Sequence, residues 1–508
     1  MKKIAAIDAG SNGIRLIVGE VGEAGQVKQI ESIRLPVRLG QDAFTTGVLR
    51  EETIQQGVDA FLHFRCVMDD LGVSKIRAIA TSALRETTNS RTFLARIHST
   101  SGIKIEIISG EEEARLIHLA VEHAVDLSNK RAVLIDIGGG SVEVTISENK
   151  HIISTESYNM GTVRLLKKLD CSETRTASNR SFSLLVSEYA KAARRRIDRE
   201  IGDERIHLCI GTGGNVEVMG NLRQRLFKKT NGNVITHGEL QLLIEQLSGM
   251  SIKDRINKLK LKPDRADVIL PAAIVLQMIA KEARVREIKI PNVGLKDGIL
   301  IEMAEELARD PKPKLLRREQ VWEAAVRLGN KYQTDMEHAL QTSKLAGQLF
   351  DQTKRLHKLD DSYKLLLQVG AILHDVGHFI NPIDHDKHGY YILKHNTLIG
   401  LDVNQQTIVA NMVRYHRKAS PSLENENFKA LPHKDRLSVT KLSALLRLAD
   451  LTDTSHSGRV TEIVLTEKRK CWELVLNGKG DLMLERWSLN KRRALFEEIF
   501  GVELVIAD

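Results

Sequence analysis

The segment LIDIGGGSVEV, Leu134–Val144, places three consecutive glycines between an apolar run and an alternating one. That pattern reads as two strands joined by a tight turn. Glycine loses more conformational freedom on folding than any other residue, so a cluster marks backbone that approaches another group closely. Successive bare N–H groups converge into a nest for an anion, and the anion this points to is phosphate. The serine hydroxyl adds a donor. The aspartate is acceptor-only, so it faces phosphate through a cation or a water. Mg²⁺ or an oriented water is therefore expected beside it.

The layout occurs twice. KKIAAIDAGSNGIRLIVGE (2–20) runs apolar strand, Asp, glycine, Ser, second strand, and AVLIDIGGGSVEVTIS (132–147) repeats it. One such loop alone reads equally well as an ordinary hairpin, but two at equivalent places indicate a duplicated α/β domain. Facing lobes would bring both Asp-Gly-Ser loops into one cleft. Around the first loop, residues 3–35 alternate like a hairpin, 50–71 are helical, and KIRAIATSALRE (75–86) runs from strand into helix. IKIEIISGEEEARLIHLAVEHAV (103–125) is strand, Ser-Gly turn and helix, with Ala114, Ile117, Val121 and Ala124 on one face. Residues 1–125 thus read as a βββαβαβα unit. A third glycine turn, GTGGN (Gly211–Asn215), follows the strand IHLCI in the second lobe.

The 508 residues carry a net charge of +9, which suggests a polyanionic partner. Aromatics are 4% of the chain, which argues against base stacking as the main binding mode and against nucleic acid. Cys66, Cys171, Cys209 and Cys471 are scattered with no CxxC pair, as in a reducing cytoplasm. The longest apolar run, VILPAAIVLQMIA (268–280), is too short to span a bilayer. A soluble cytoplasmic protein is expected. RDPKPKLLRREQ (309–320) reads as a proline-bearing linker. A separate, mainly helical domain follows, closed by the strand-like TEIVLTEKRKCWELVLNG (461–478).

The three glycine turns resemble those of the actin-like (ribonuclease H-like) fold shared with sugar kinases. ATSALRETTN (80–89), SGEEEARLI (109–117), NMGTVRL (159–165) and VGLKDGIL (293–300) narrow this. Together they resemble the Ppx/GppA family of exopolyphosphatases and guanosine pentaphosphate phosphohydrolases. The resemblance implies Glu113 as catalytic base, with Asp136 and Glu143 as catalytic carboxylates that hold Mg²⁺ or orient water. It also implies Asp8, Ser11, Asn12, Arg15, Arg85, Gly138, Gly139, Gly140, Ser141, Gly213 and Gly214 as phosphate-binding residues. Taken alone, a glutamate in a helix's first turn is ordinary surface chemistry, and it is the family match that selects Glu113 over Glu112. The first loop departs from the family where Gly13 replaces a serine.

The helical part resembles an HD domain. His338 lies in DMEHALQTSKLAGQLF, His374 and Asp375 are adjacent in LLLQVGAILHDVGH, and Asp450 lies in KLSALLRLADLTD. Imidazole with carboxylate suits Mn, Fe or Zn. His416 and His395 are further candidate ligands. Two readings stand open: a second divalent-metal site, or a scaffold that keeps the helices without the metal.

The expected architecture is therefore α/β, with actin-like lobe I at 1–125 and lobe II at 126–305. An all-α HD-like domain with a small C-terminal α+β part follows at 310–508. The expected function is an Mg²⁺-dependent exopolyphosphatase that removes terminal phosphate processively from inorganic polyphosphate. The alternatives are a pppGpp 5'-phosphohydrolase, a regulatory protein that binds polyphosphate or (p)ppGpp, and a sugar kinase. The family resemblance implies a homodimer. Basic runs at 191–200, 223–229, 253–262 and 312–320 are read as a cationic path for the polyanion, or as solvated helix faces.

Overall fold

The computed structural model describes residues 2–22, 25–169, 179–230, 232–308 and 311–507. Lys2–Gly10 (β1) and Gly13–Val21 (β2) form the hairpin that the alternation announces, and Val27–Leu35 (β3) extends it antiparallel. Lys75–Ala80 (β4) and Ile105–Ile107 (β5) add in parallel, giving the order β3-β2-β1-β4-β5. The second sheet repeats the plan. Arg131–Ile137 (β6), Val142–Glu148 (β7) and His151–Tyr158 (β8) form the meander, and Leu208–Thr212 (β9) pairs parallel to β6. Val234–Thr236 (β10) and Glu287–Lys289 (β11) complete the order β10-β11-β9-β6-β7-β8.

Both central strands are apolar throughout because each supplies two cores. Ala5, Ile7 and Ala9 of β1 enter a core within the first lobe, while Ile4 and Ala6 enter a second one. In β6, Val133, Ile135 and Ile137 enter the second lobe's core, while Ala132 and Leu134 join Ile4 and Ala6. Strands buried on both faces read as continuous apolar runs. The shared core seals the two lobes together, and residues Met1–Pro311 form one compact unit.

Helix Leu295–Ala308 departs from the expected boundary at 305. It follows the second lobe in sequence but packs on β1, β2 and helix Gly110–Ala124 of the first. Ile299, Leu300, Met303 and Ala304 place it in the shared core. At the crossing, a Cβ on Gly298 would lie 1.9 Å from the Leu116 carbonyl oxygen and 2.6 Å from its carbon. Backbone atoms cannot yield, so Gly298→Ala must push the helices apart. Overpacking of this kind costs about 3 kcal/mol, well above the helix-propensity gain of about 1 kcal/mol. A urea titration is expected to show a lowered midpoint.

Lys312–Asp508 form a second compact unit. The expected linker at 309–320 is, from Pro311 onward, the start of helix Pro311–Lys331. Proline suits the first helical position, where no intrahelical N–H bond is lost. Four more long helices, Met336–Gln352, Ser362–Leu373, Val403–Arg414 and His433–Leu451, enclose an aliphatic core. Val460–Glu467 (β12) and Trp472–Gly478 (β13) form the expected C-terminal hairpin, and Leu504–Ile506 (β14) pairs parallel to β13. Cys66, Cys209 and Cys471 are free thiols, whereas Cys171 lies outside the described residues. Among the described residues no helix is long and apolar enough to cross a membrane.

Candidate active site

The two glycine loops meet in one cleft of the first unit. Its lining includes Asp8, Ser11, Asn12 and Arg15 from the first loop, and Asp136, Gly138, Gly139 and Ser141 from the second. Gly213 and Gly214 line it as well. Gly213 sits at φ +95°, where an added Cβ would meet the Ile137 carbonyl oxygen at 2.7 Å. A glycine is required at that position.

The second loop is held from behind. Thr162 N–H donates to the Gly138 carbonyl (3.1 Å), Val163 and Arg164 N–H to Gly139 (2.8 and 3.1 Å), and Gly161 N–H to Gly140 (3.2 Å). Arg164 Nε also donates to the Gly140 carbonyl at 2.6 Å. A trans peptide sets its N–H opposite its carbonyl, so the amides of Gly139, Gly140 and Ser141 point away from that anchor. Gly140 itself does not line the cleft: its Cβ position is taken by Phe44 and Ser82.

Three carboxylates converge at the rear. Glu113 lies in the first turn of helix Gly110–Ala124, whose N-cap Ser109 accepts from Glu112 N–H. Ser157 donates to Glu143 Oε1 at 2.8 Å, and Thr212 to Asp136 Oδ1 at 2.6 Å. The remaining oxygens Glu113 Oε2 and Glu143 Oε2 are buried without a hydrogen-bond partner. Oxygens of the three groups lie within 4.8 Å of one another. Burial pushes Asp136 up to about 6. Burial and the Asp136 charge push Glu143 up to about 7. Burial and the Glu143 charge raise Glu113 well above the carboxylate range. Asp8 is raised by burial against the pull of Arg15, 3.8 Å away. Three hard oxygen donors with two unmatched lone-pair sets fit a divalent cation such as Mg²⁺.

Arg85 does not line the cleft directly. It donates to the Ile108 carbonyl, and its guanidinium stands 4.0 Å from Glu113. Among the described residues of the first unit, the cleft lining includes Arg34, Arg265 and Lys296 but none from the basic runs at 191–200, 223–229 and 253–262. Arg34 donates to the Asn12 carbonyl at 2.7 Å and pairs with Asp264. Gly13 makes room for it: a Cβ there would lie 3.0 Å from Arg34 Nη2. The absent serine is thus answered by a guanidinium. Arg265 is held by Asn215 Oδ1 at 3.0 Å, and burial with the charges of Arg34 and Arg15 pulls it down to about 9. Three guanidiniums crowded together in this way favour an incoming anion.

The second set of expected ligands lies in the other unit. His338, His374 and Asp450 converge, and so do Asp375, His385 and His416. His395 is exposed, tilted against the Tyr391 ring, and belongs to neither group. His385 was not foreseen.

Paired glycine loops, a carboxylate cluster and an arginine crown on a duplicated sheet fit an enzyme of the actin-like fold that handles phosphoryl groups. The chain belongs to the Ppx/GppA phosphatase family, whose model matches residues 17–307, while the model of "Ppx/GppA phosphatase, domain III" matches 322–493. It is similar to guanosine-5'-triphosphate,3'-diphosphate pyrophosphatase of Vibrio campbellii, with 29% identity over 88% of this chain and 85% of that one. The same-named protein of Photobacterium profundum is 27% identical over equal shares. Among solved structures, an exopolyphosphatase from Cytophaga hutchinsonii has the fold at TM-score 0.56 and 23% identity, over 60% of this chain and 98% of that one. The Aquifex aeolicus family member follows at 0.51 and 22%, over 61% and 99%.

Proposed function

We propose that the chain hydrolyses the terminal phosphoanhydride bond of inorganic polyphosphate. The observation that carries this reading is the lining of the cleft. Arg15, Arg34, Arg265 and Lys296 surround two amide-bearing glycine loops, and among the described residues no aromatic ring lines the cleft to stack a base. A bare phosphate chain needs cations and N–H donors, not a base pocket. Water attacks the terminal phosphorus and passes its proton to Glu113. The bond from that phosphorus to the bridging oxygen breaks, and the shortened chain leaves with its added charge met by the guanidiniums. Burial and the Glu143 charge raise the Glu113 carboxyl well above the ordinary range, which makes it a stronger base than a solvated carboxylate. Asp136 and Glu143 would hold Mg²⁺, which supplies charge neutralisation when bound. Arg85 restrains the Glu113 carboxylate.

The second reading, removal of the terminal phosphate of pppGpp, is favoured by the names of the relatives in Vibrio campbellii and Photobacterium profundum. Phosphate release with Mg²⁺ on long-chain polyphosphate and on pppGpp, measured side by side, decides between them. Faster release from polyphosphate is the expected result, and preference for pppGpp would overturn the assignment. Polyphosphate binding is also expected to weaken steeply with salt, by analogy with counterion release from nucleic-acid phosphates. A flat response between 50 and 200 mM salt would count against the cationic crown.

A further inference from the structure

Glu113 lines the cleft with its Oε2 buried and outside any hydrogen bond, and Arg85 stands 4.0 Å from it. Burial opposes its ionised form, and so do the charges of Glu143, Asp136 and Asp8, against the pull of Arg85. A carboxylate so placed is driven out of the cluster unless its backbone is held. The hold must therefore act on the first turn of helix Gly110–Ala124.

Behind that turn the adjacent Glu112 faces the other way. Arg115 forks onto both of its oxygens, through Nε at 2.7 Å and Nη2 at 2.8 Å. Arg115 Nη2 also donates to Glu302 Oε1 at 2.6 Å, on helix Leu295–Ala308. Glu302 Oε2 accepts from Arg77 Nη1 of β4, and Arg77 Nη2 stands 3.9 Å from Glu112 Oε1. The four groups close a ring of alternating charge, with Glu106 of β5 3.5 Å from Arg77 at its edge. Arg115 and Glu302 are buried, and none of the four lines the cleft.

The ring joins three elements that each deliver a group to the cleft. Helix Gly110–Ala124 delivers Glu113, helix Leu295–Ala308 delivers Lys296, and β4 runs into Thr81 and Ser82. The two helices touch backbone to backbone at Gly298 and Leu116. Such a contact sets their separation but leaves one helix free to turn over the other. Glu302 lies one turn beyond Gly298 on the same helix face, and Arg115 adjoins Leu116. The forked bond therefore sits beside the pivot and blocks the turn. Stability alone does not call for charges here, because replacing a buried ion pair by apolar groups is often neutral or stabilising. What an apolar pair lacks is direction, which the planar guanidinium supplies.

We propose that Arg115 and Glu302 are positioning residues that hold Glu113 in the cleft against its neighbouring carboxylates. The effect on turnover rests on the reading of Glu113 as the base, whereas the mechanical hold does not.

The test uses the full chain carrying Arg115→Lys, which keeps a positive charge beside Glu112 and Glu302 but loses the fork. On whichever of polyphosphate and pppGpp the wild type hydrolyses, kcat is expected to fall roughly 10- to 100-fold with KM unchanged, the cost of a misplaced reacting group. In a Glu113→Gln background the same replacement is expected to cost nothing further, since the two changes act through one group. A second readout needs no turnover. At alkaline pH, in metal-free protein, Glu113→Gln is expected to raise the thermal midpoint by removing the enforced repulsion. The rise is expected to be smaller beside Arg115→Lys, where Glu113 can already withdraw. Glu302→Gln takes the place of Arg115→Lys if the latter does not fold. An equal loss of kcat with and without Glu113, a raised KM with kcat intact, or the full rise in midpoint in both backgrounds would overturn the proposal and leave the ring a structural support. If the wild type releases phosphate from neither substrate, the reading of the cleft fails and the melts alone decide on the hold.

Discussion

Glu113→Gln is expected to lower kcat for phosphate release by about 10²–10⁴-fold, the usual contribution of a positioned general base. Gln keeps the size and the hydrogen-bonding capacity but cannot take a proton. Glu113 Oε2 is buried with no hydrogen-bond partner, and Arg85, 4.0 Å away, keeps its bond to the Ile108 carbonyl, so the fold is expected to be retained. The wild-type activity carries the same signature in its pH profile. Burial and the neighbouring Glu143 charge raise Glu113 well above the ordinary carboxylate range. The base therefore holds its proton to higher pH than an ordinary carboxylate, and the rate climbs as pH rises through its titration. In the Gln variant that limb disappears along with most of the rate. A variant that keeps near-wild-type kcat would remove Glu113 from the chemistry.

Glu143→Gln is expected to make the metal-free protein more stable while it loses activity. Burial and the Asp136 charge push Glu143 from 4.5 up to about 7. A carboxyl group whose pKa is raised in the fold holds its proton there over a pH range where the unfolded chain has already released it. Stability then falls as pH climbs through the unfolded pKa, and the full penalty is present above the folded one. The penalty at pH 8 is on the order of 3 kcal/mol at 1.36 kcal/mol per pKa unit. The neutral amide escapes it. Thermal melts should therefore show the variant above wild type at pH 8 and the two converging near pH 4. Mg²⁺ should raise the wild-type melt far more than the variant's. A variant that melts below wild type at pH 8 would show that the Ser157 contact outweighs the buried charge.

What the sequence reveals here follows from distance along the chain. The hairpins, the glycine loops and the carboxylates at strand ends are local features, set by period-two alternation and turn chemistry. The repeat made their meeting in one cleft legible. Arg34, Arg265 and Lys296 were not legible. They come from β3, from the one-turn helix Pro263–Ala266 and from the first turn of helix Leu295–Ala308, brought together by tertiary packing. Gly13 was the one local trace of Arg34, a small residue where a guanidinium had to fit. The basic runs do not reveal their orientation in the sequence, because charge composition does not say which face a helix buries. Arg255, within one of them, is turned inward onto the carbonyls of Leu247 and Ala266. In the helical unit, the adjacent His374 and Asp375 were conspicuous, whereas His385 sits among several polar residues and only its helix start distinguishes it.

The two hairpins share one plan but not one chemistry. The residue opposite Asp8 on the neighbouring strand is Arg15, and the residue opposite Asp136 is Glu143. A near-symmetric scaffold has thereby acquired a direction, with a cationic wall on one side and an anionic one on the other. A phosphate chain in it would be polarised end to end, its tip toward the carboxylates and its body toward the guanidiniums. Inorganic polyphosphate has two identical ends, so either could enter first, whereas a guanosine nucleotide would have to present its triphosphate arm and leave its base outside.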